Sequence, residues 1–311
     1  MTQIKDIIVC PNCHHSLFEA GEELGCDNCS SSFGRNEFGY FEFLFEDHAH
    51  KIDTTNEQNA GDQEFCNMRM YNEYIIPFLR KESVKRVLDA GCGLGKGISV
   101  LIKEGYDAYG IDLPNLSKFW SRIGNDPKHF FCCDAVGLPF MNDFFDAVIS
   151  TSVIEHLGTS TGHCSLIDNY WEIRQQHTNE LLRVTKPSGR ILISCPNKSF
   201  PIDIHHGPTD EQTSKRHRVR RYIFEKTGMN IHPVWGKYHL VSYPEVKRLF
   251  CDYGAATSFE PLPLKGFLSF RTIDSTSLKP IGRLAKYYLY NLPKYFRASF
   301  MNPYVLVQIR K

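Results

Sequence analysis

Apolar positions along the chain follow two rhythms. Short apolar runs bounded by glycine, proline or charge, at Arg86–Ala90, Asp107–Ile111, His129–Cys132, Phe145–Ser150 and Arg190–Ser194, read as strands. Stretches with apolar residues three and four apart, about Lys96–Glu104 and Asn169–Val184, read as helices. Their alternation is the pattern of an α/β fold, a parallel sheet covered on both faces. Before it, Glu64–Lys81 places Met68, Tyr71, Tyr74, Ile75 and Phe78 at helical spacing. After it come a capped helix from Ser242 to Phe250, a strand near 256–260 and a last strand over Asn302–Ile309. Upstream, Phe41-Glu-Phe43-Leu-Phe45 alternates like a strand and is expected to close a small N-terminal module of residues 1–45. Residues 46–63, rich in Asp, Asn, Gln and Thr, read as a linker, which leaves 64–311 as the large domain.

Length and composition fit this division. The 311 residues suggest about two domains, and 42% hydrophobic residues suffice for a substantial core. No segment approaches the ~20 apolar residues that span a bilayer, and the N-terminus lacks a secretion signal's long apolar core. Eleven cysteines, an odd number, argue for a reducing compartment, so a cytoplasmic protein is expected. The net charge of +1 is unevenly spread: residues 1–64 hold 13 acidic and three basic side chains, residues 265–311 nine basic and one acidic.

Cys10-Pro-Asn-Cys13 and Cys26-Asp-Asn-Cys29 form a C-x2-C, x12, C-x2-C array in which each knuckle can supply two thiolates to one tetrahedral ion. Zinc fits this better than an iron–sulfur cluster, because the knuckles flank a polar hairpin. Four protein thiolates leave no open coordination position, so the metal is structural and replaces a core that some 40 residues cannot build. His14 and His15 then read as surface residues. Residues 7–45 resemble the zinc-ribbon activators of RNA and protein methyltransferases, and the N-terminal ribbons of some ribosomal RNA guanine methyltransferases.

The first strand runs into Asp89-Ala-Gly91-Cys-Gly93-Leu-Gly95-Lys-Gly97 and then a helix. Alternate glycines allow positive φ and remove each Cβ that would hold a ligand off the backbone, and the helix start offers N–H groups to it. A dinucleotide fingerprint needs its third glycine at the sixth position, which here is Lys96. Asp112, some 20 residues beyond the turn, stands where a carboxylate can accept both ribose hydroxyls of a nucleoside.

Asp89-x-Gly91-x-Gly93-x-Gly95 resembles the signature of the class I S-adenosylmethionine-dependent methyltransferases. The resemblance spans roughly 64–311 and implies a Rossmann-like seven-stranded sheet with helices on both faces and an antiparallel last strand. By it, Asp89 orients the methionine end of the cofactor, and Gly91, Gly93 and Gly95 make room for homocysteine and ribose. Asp134-Ala135-Val-Gly-Leu-Pro-Phe140 resembles the adenine-binding turn, with Asp134 accepting the adenine amino group and the Ala135 backbone touching the ring. Ser152, after strand four, joins the cofactor-binding set.

Strand four delivers Ser152-Val-Ile-Glu155-His156 to the carboxyl edge of the sheet, where ligands bind in open α/β folds. In ubiquinone-pathway and small-RNA 2′-O-methyltransferases a similar phrase reads Glu-x-x-Glu-His and can bind a divalent metal. Ser152 takes the first position here, so no catalytic metal is expected. His156 is the expected general base, with Glu155 orienting it and His205 or His206 in reserve. Both reserves belong to an acceptor-side insertion over 198–240 that also carries the basic run Lys215–Arg221. Cys195 reads as a small buried thiol, because the second motif cysteine of the cytosine-C5 methyltransferases is missing, and the Asn-Pro-Pro-Tyr phrase of adenine methyltransferases is also absent.

Three functions compete. Leu192–His206 and the basic tail resemble methyltransferases associated with surface-polysaccharide biosynthesis, which implies a small-molecule or sugar-bearing acceptor methylated on oxygen or nitrogen. An RNA methyltransferase would dock substrate on the ribbon, but the ribbon between Cys10 and Cys29 has four acidic and no basic residues, the wrong sign for phosphate. A non-catalytic binding partner is disfavoured by the intact cofactor residues. A basic aromatic insertion over 261–300 carries helical spacing in Ile281–Phe300, which reads first as a helix covering the sheet and second as a peripheral membrane contact.

Overall fold

The N-terminal cysteine pairs sit on two turns of the same build. His14 N–H donates to Cys10 O at 2.8 Å and Ser30 N–H to Cys26 O at 2.9 Å, and His14 (φ 57°) and Ser30 (φ 56°) both take the left-handed conformation that closes each knuckle. Between and after them, β1 (Phe18–Ala20), β2 (Glu23–Gly25) and β3 (Ser32–Phe33) form an antiparallel three-stranded sheet. This computed structural model describes residues 6–44, 68–160, 165–208, 215–251, 254, 256–267 and 279–311; the expected linker over 46–63 lies outside them.

Strand β4 (Phe41–Phe43) does more than the expected closing of the ribbon. It folds back on the ribbon through Glu42 N–H to Gly34 O at 2.9 Å and an antiparallel bridge between Arg35 and Phe41, and it also pairs in parallel with β7 (Phe130–Cys133) at the edge of the large sheet. Phe41 and Phe43 are both buried, and Phe43 meets Phe131 at 6.1 Å between ring centroids. The alternating aromatics therefore mark a strand whose partner lies some 90 residues downstream. The segment before the first knuckle is bound to the same region: Val9 N–H donates to Pro139 O at 3.1 Å and Met141 N–H to Ile7 O at 3.2 Å.

The large sheet has eight strands in the order β12 (Ser258–Pro261), β13 (Tyr304–Arg310), β9 (Thr185–Pro196), β8 (Phe145–Thr151), β5 (Arg86–Ala90), β6 (Asp107–Asp112), β7, β4, one more than expected because of β4. At its centre, β5 (Arg86–Ala90) pairs in parallel with β6 (Asp107–Asp112) and β8 (Phe145–Thr151), and β6 pairs in parallel with β7. Val87, Leu88, Ala90, Ala108, Ile111, Val148 and Ile149 are all buried, which explains why these strands read as apolar runs and not as alternations. Among the helices, a π-helical turn over Tyr71–Ile75 continues as α1 (Ile76–Lys81) before β5. Helix α2 (Lys96–Lys103) follows β5, α3 (Ser117–Arg122) follows β6, and α4 (Tyr170–Val184) runs directly into β9 (Thr185–Pro196). Lys186-Pro-Ser-Gly189, which looks like a loop, lies within β9, with Ser188 at φ 64° taking up the irregularity.

Contact density divides the chain into two compact units: Met1–Ser150 with Gln176–Ile191 and Arg310–Lys311, and Thr151–Gln175 with Leu192–Ile309. In the second unit β10 (Ile202–Asp203) pairs antiparallel with β11 (Asn230–Ile231), and α5 (Lys215–Thr227) separates them in sequence. Helix α6 (Tyr243–Cys251) buries Val246, Leu249 and Phe250. Its start is a reciprocal cap: Ser242 N–H donates to Glu245 Oε2 at 2.8 Å, and Glu245 N–H to Ser242 Oγ at 3.4 Å. Strand β12 (Ser258–Pro261), α7 (Lys279–Tyr290) and β13 (Tyr304–Arg310) complete the unit.

Candidate functional site

The glycine turn after β5 has the backbone its residues anticipate. Gly91, Gly93 and Gly95 have φ of 104°, 55° and 77°, and Gly95 starts α2. A Cβ on Gly95 would lie 2.8 Å from Asn125, Phe130 and Trp120, so its glycine is required by packing. A Cβ on Gly93 would meet nothing within 4 Å, so that stretch of backbone faces open space. Gly93 is held from both sides: its N–H donates to Asp112 Oδ2 at 2.7 Å, and its carbonyl accepts from Trp120 Nε1 at 2.7 Å. Asp112 Oδ1 accepts Leu113 N–H at 2.8 Å, so this carboxylate braces the turn while each oxygen keeps a second lone pair.

Asp89, at the end of β5, is 3% exposed. Its Oδ2 accepts the Tyr71 hydroxyl, and its Oδ1 has no hydrogen-bond partner. Burial pushes its pKa up to about 7 against the Tyr71 hydrogen bond, and Asp112 adds to the rise. Tyr71 also fills the space over Gly97, where a Cβ would lie 2.3 Å from its ring. The sequence places Tyr71 on an apolar helix face but gives no sign of this contact.

Asp134 follows β7, is 4% exposed, and accepts Val136 N–H at 3.3 Å. The turn that Asp134 and Ala135 begin is pinned by residues absent from the sequence-based site. His177 Nδ1 lies 2.8 Å from Ala135 O, while its Nε2 lies 3.2 Å from Ser150 Oγ. Glu180 Oε2 accepts Leu138 N–H at 2.8 Å. Arg183 donates to Leu138 O at 2.8 Å, Phe140 O at 2.6 Å and Glu180 Oε1 at 2.6 Å. His14, expected as a simple surface residue, places Nε2 3.5 Å from Glu180 Oε1 and so ties the first knuckle to this network.

Cys10, Cys13, Cys26 and Cys29 bring their sulfurs within 4.8 Å of one another, with 3.5 Å between Cys10 and Cys29 and 3.4 Å between Cys13 and Cys26. Four sulfurs about 2.3 Å from a central ion lie about 3.8 Å apart, so the set fits a tetrahedral metal. The His15 backbone N–H holds the Cys13 thiol down to about 6, while burial pushes Cys10 up to about 12.

The second unit gathers the remaining expected residues. Ser152 has φ 55°, and its N–H donates to Ser194 O at 2.9 Å. Glu155 is fully buried, and burial pushes its pKa up to about 7. The ligand atoms of Glu155, His156 and His206 lie within 4.8 Å of one another, as do those of Asp203, His206 and His239. Glu155 does not take the orienting role expected of it, because neither carboxylate oxygen makes a hydrogen bond. The orienting carboxylate is instead Asp203, whose Oδ2 lies 2.8 Å from His206 Nδ1. Burial opposes the protonated form of His206, but the Asp203 hydrogen bond and charge outweigh it and raise the pKa. His205 packs against Tyr304, with ring centroids 5.5 Å apart, and burial lowers its pKa. Cys195 is fully buried and held well above the ordinary thiol range by burial, as expected of an inert thiol.

Residues 88–193 match the family model described as a methyltransferase domain. The chain is 35% identical over 108 residues to a tRNA (carboxymethyluridine(34)-5-O)-methyltransferase of Arabidopsis thaliana, covering 35% of this chain and 23% of that protein. It is 24% identical over 151 residues to the demethylmenaquinone methyltransferase of Beutenbergia cavernae, covering 49% and 55%. The chain thus spans from about a quarter to about half of these curated relatives. A solved complex between the Haloferax volcanii Trm112 methyltransferase activator and a putative methyltransferase aligns over 83% of this chain and 99% of that one, at 15% identity and a TM-score of 0.47.

Proposed function

We propose that this protein is an S-adenosylmethionine-dependent methyltransferase whose cofactor lies along the turn from Asp89 to Gly95. The observation that carries the reading is that turn itself. Within the residues matched to the methyltransferase-domain model, Gly93 presents open backbone beside a buried Asp89 carboxylate that has one oxygen unpartnered. An orphaned carboxylate oxygen is costly, and a cationic or hydroxyl-bearing ligand would satisfy it. Asp89 would hold the methionine end, Asp112 the ribose hydroxyls and Asp134 with Ala135 the adenine, with Ser152 completing the proposed set. S-adenosylmethionine supplies a methyl group already activated on a sulfonium, so the protein's task is alignment, which contributes about 7–11 kcal/mol in well-oriented reactions.

Removal of the acceptor proton is assigned to the Glu155, His156, Asp203 and His206 cluster, with His205 beside it. The four N-terminal cysteines would hold structural Zn2+. The acceptor is a small molecule or sugar-bearing intermediate methylated on oxygen or nitrogen, a reading favoured by the acidic ribbon, which opposes nucleic-acid docking. The RNA reading draws its support from the tRNA-modifying relative and from α5, whose sequence Lys215–Arg221 is strongly basic. Labelled cofactor incubated with small-molecule extract and, separately, with total RNA tests the choice. Label in the small-molecule fraction, lost in His156→Ala, supports the first reading; label in RNA replaces it with the second.

A further inference from the structure

We infer that α7 and the turn after it form a surface that docks on an anionic lipid bilayer, with exposed aromatic and aliphatic side chains entering the headgroup region and basic side chains meeting lipid phosphates. The second compact unit carries this surface, and the inference stands apart from the cofactor turn. In α7, apolar residues occupy both faces. Leu289 and, just beyond the helix, Leu292 are buried, so they attach one face to the protein. Leu284 and Tyr287, three apart on the opposite face, are 70% and 69% exposed. A surface helix ordinarily carries polar residues there.

The turn over 294–300 continues the pattern. Tyr295 is 91% exposed and Phe300 68%, with Phe296 also exposed. Hydrogen bonds tie this segment to the protein. The Tyr288 hydroxyl donates to Met301 O at 2.8 Å and Arg297 Nε to Leu292 O at 3.2 Å, while Asn197 Nδ2 donates to Ser299 O at 3.0 Å and to Asn302 O at 2.7 Å. Large apolar side chains are therefore held out from the protein on an anchored backbone, an arrangement that marks an interaction surface.

Charge selects the partner. No Asp or Glu follows Asp274 in the sequence, while Arg283, Lys286, Lys294 and Arg297 are interspersed with the exposed apolar residues. A second copy of this chain in symmetric pairing would set these like charges against one another. A nucleic-acid strand is tracked by a basic groove with aromatic planes for its bases. Here the order is reversed. Lys286, 5.6 Å above the Tyr290 ring, and Arg297, bonded to Leu292 O, are both half-buried, so the apolar tips reach furthest, and Leu284 has no aromatic face on which a base could stack. A bilayer accepts both parts, the aromatic and aliphatic groups at the headgroup boundary and the cations on anionic phosphates. Tyr304 follows this segment and packs on His205, with ring centroids 5.5 Å apart. On the proposed methyltransferase reading, the docked surface thus adjoins the histidine cluster assigned to proton removal and favours an acceptor held at the membrane.

The test sediments the full chain, its cysteine site loaded with zinc, with vesicles of phosphatidylcholine alone or mixed with phosphatidylglycerol. Binding to the mixed vesicles is expected, weakening as salt is raised, and at least about tenfold weaker on phosphatidylcholine alone. Leu284→Ser with Tyr295→Ser is expected to weaken binding at least about tenfold, and Arg283→Gln with Lys294→Gln about 25-fold, at about fivefold a charge. All four side chains are exposed, and circular dichroism with thermal unfolding confirms that each variant is folded. Failure of the wild-type protein to bind the mixed vesicles, or equal binding by the folded variants, overturns the inference. If the wild-type protein instead self-associates or binds RNA through these side chains, the partner is a different one and the inference falls. Vesicle binding without S-adenosylhomocysteine binding keeps the surface and removes the methyltransferase reading, whereas the reverse result removes the surface alone.

Discussion

Removing the Tyr71 hydroxyl tests the electrostatics of the cofactor cradle. In Tyr71→Phe the ring that packs over Gly97 is kept, but Asp89, already unpartnered at Oδ1, loses its donor at Oδ2. Tyr71 is held well above its ordinary pKa by burial and by Asp89, so it is a neutral donor throughout the working range. Asp89 titrates near 7 when folded and near 4 when unfolded, so between those values the folded protein keeps a proton that the unfolded chain has released. Stability therefore falls as pH rises through that window and levels off above it. The Tyr71 hydrogen bond holds the Asp89 pKa down, so its loss moves the upper edge of the window higher and costs more at alkaline pH. At pH 5.5 the variant loses a neutral hydrogen bond, about 1 kcal/mol; at pH 8.5 it loses a charge-assisted one, about 1.5–3 kcal/mol. At about 2–4 °C per kcal/mol for a protein of this size, Tm falls by about 2–4 °C at pH 5.5 and about 3–12 °C at pH 8.5. Thermal unfolding of both proteins at the two pH values measures the difference. Equal Tm losses at both would refute the pairing of Tyr71 with an ionising Asp89.

Three further outcomes follow from packing and charge. Arg183→Met leaves Glu180 buried without its guanidinium and removes donors to Leu138 O and Phe140 O; a loss of about 3–5 kcal/mol is expected in urea unfolding, and a loss under 1 kcal/mol would show that the network is dispensable. Gly97→Ala drives a Cβ into the Tyr71 ring and is expected to cost about 1–3 kcal/mol, recovered in part by a smaller residue at 71, which a double-mutant cycle detects. Cys26→Ser is expected to abolish stoichiometric zinc in elemental analysis and to lower Tm, because the thiolates substitute for a core that the short strands β1 to β3 do not build; full zinc retention would contradict the four-thiolate assignment.

What the sequence disclosed and what it concealed divide along a physical line. Strands β5, β6 and β8 and helices α2 and α4 were legible because both-face burial makes strands continuously apolar, and because Gly91, Gly93 and Gly95 have few uses other than a tight approach. The edge pairing of β4 was not, because alternation at Phe41 and Phe43 specifies a strand without specifying its partner. The run Lys186–Gly189 reads as a breaker, yet Ser188 carries it through β9 in a left-handed conformation that serine rarely adopts. Glu180 and Arg183, three apart on α4, look like an ordinary exposed helix pair, and only the fold shows them buried beneath the turn that Asp134 begins. Glu155 and His156 were visible at the end of β8, but the partners that define their chemistry, Asp203, His206 and His239, meet them only through tertiary structure.

The claim on which the functional reading rests is that the turn from Asp89 to Gly95 receives an adenosyl cofactor, and titration calorimetry with S-adenosylhomocysteine tests it most directly. The wild-type protein is expected to give saturable one-to-one binding. Gly93→Arg, whose side chain enters space that holds no protein atom within 4 Å of its Cβ, is expected to give none while remaining folded. Absence of binding by the folded wild-type protein, or unchanged binding by Gly93→Arg, would contradict it.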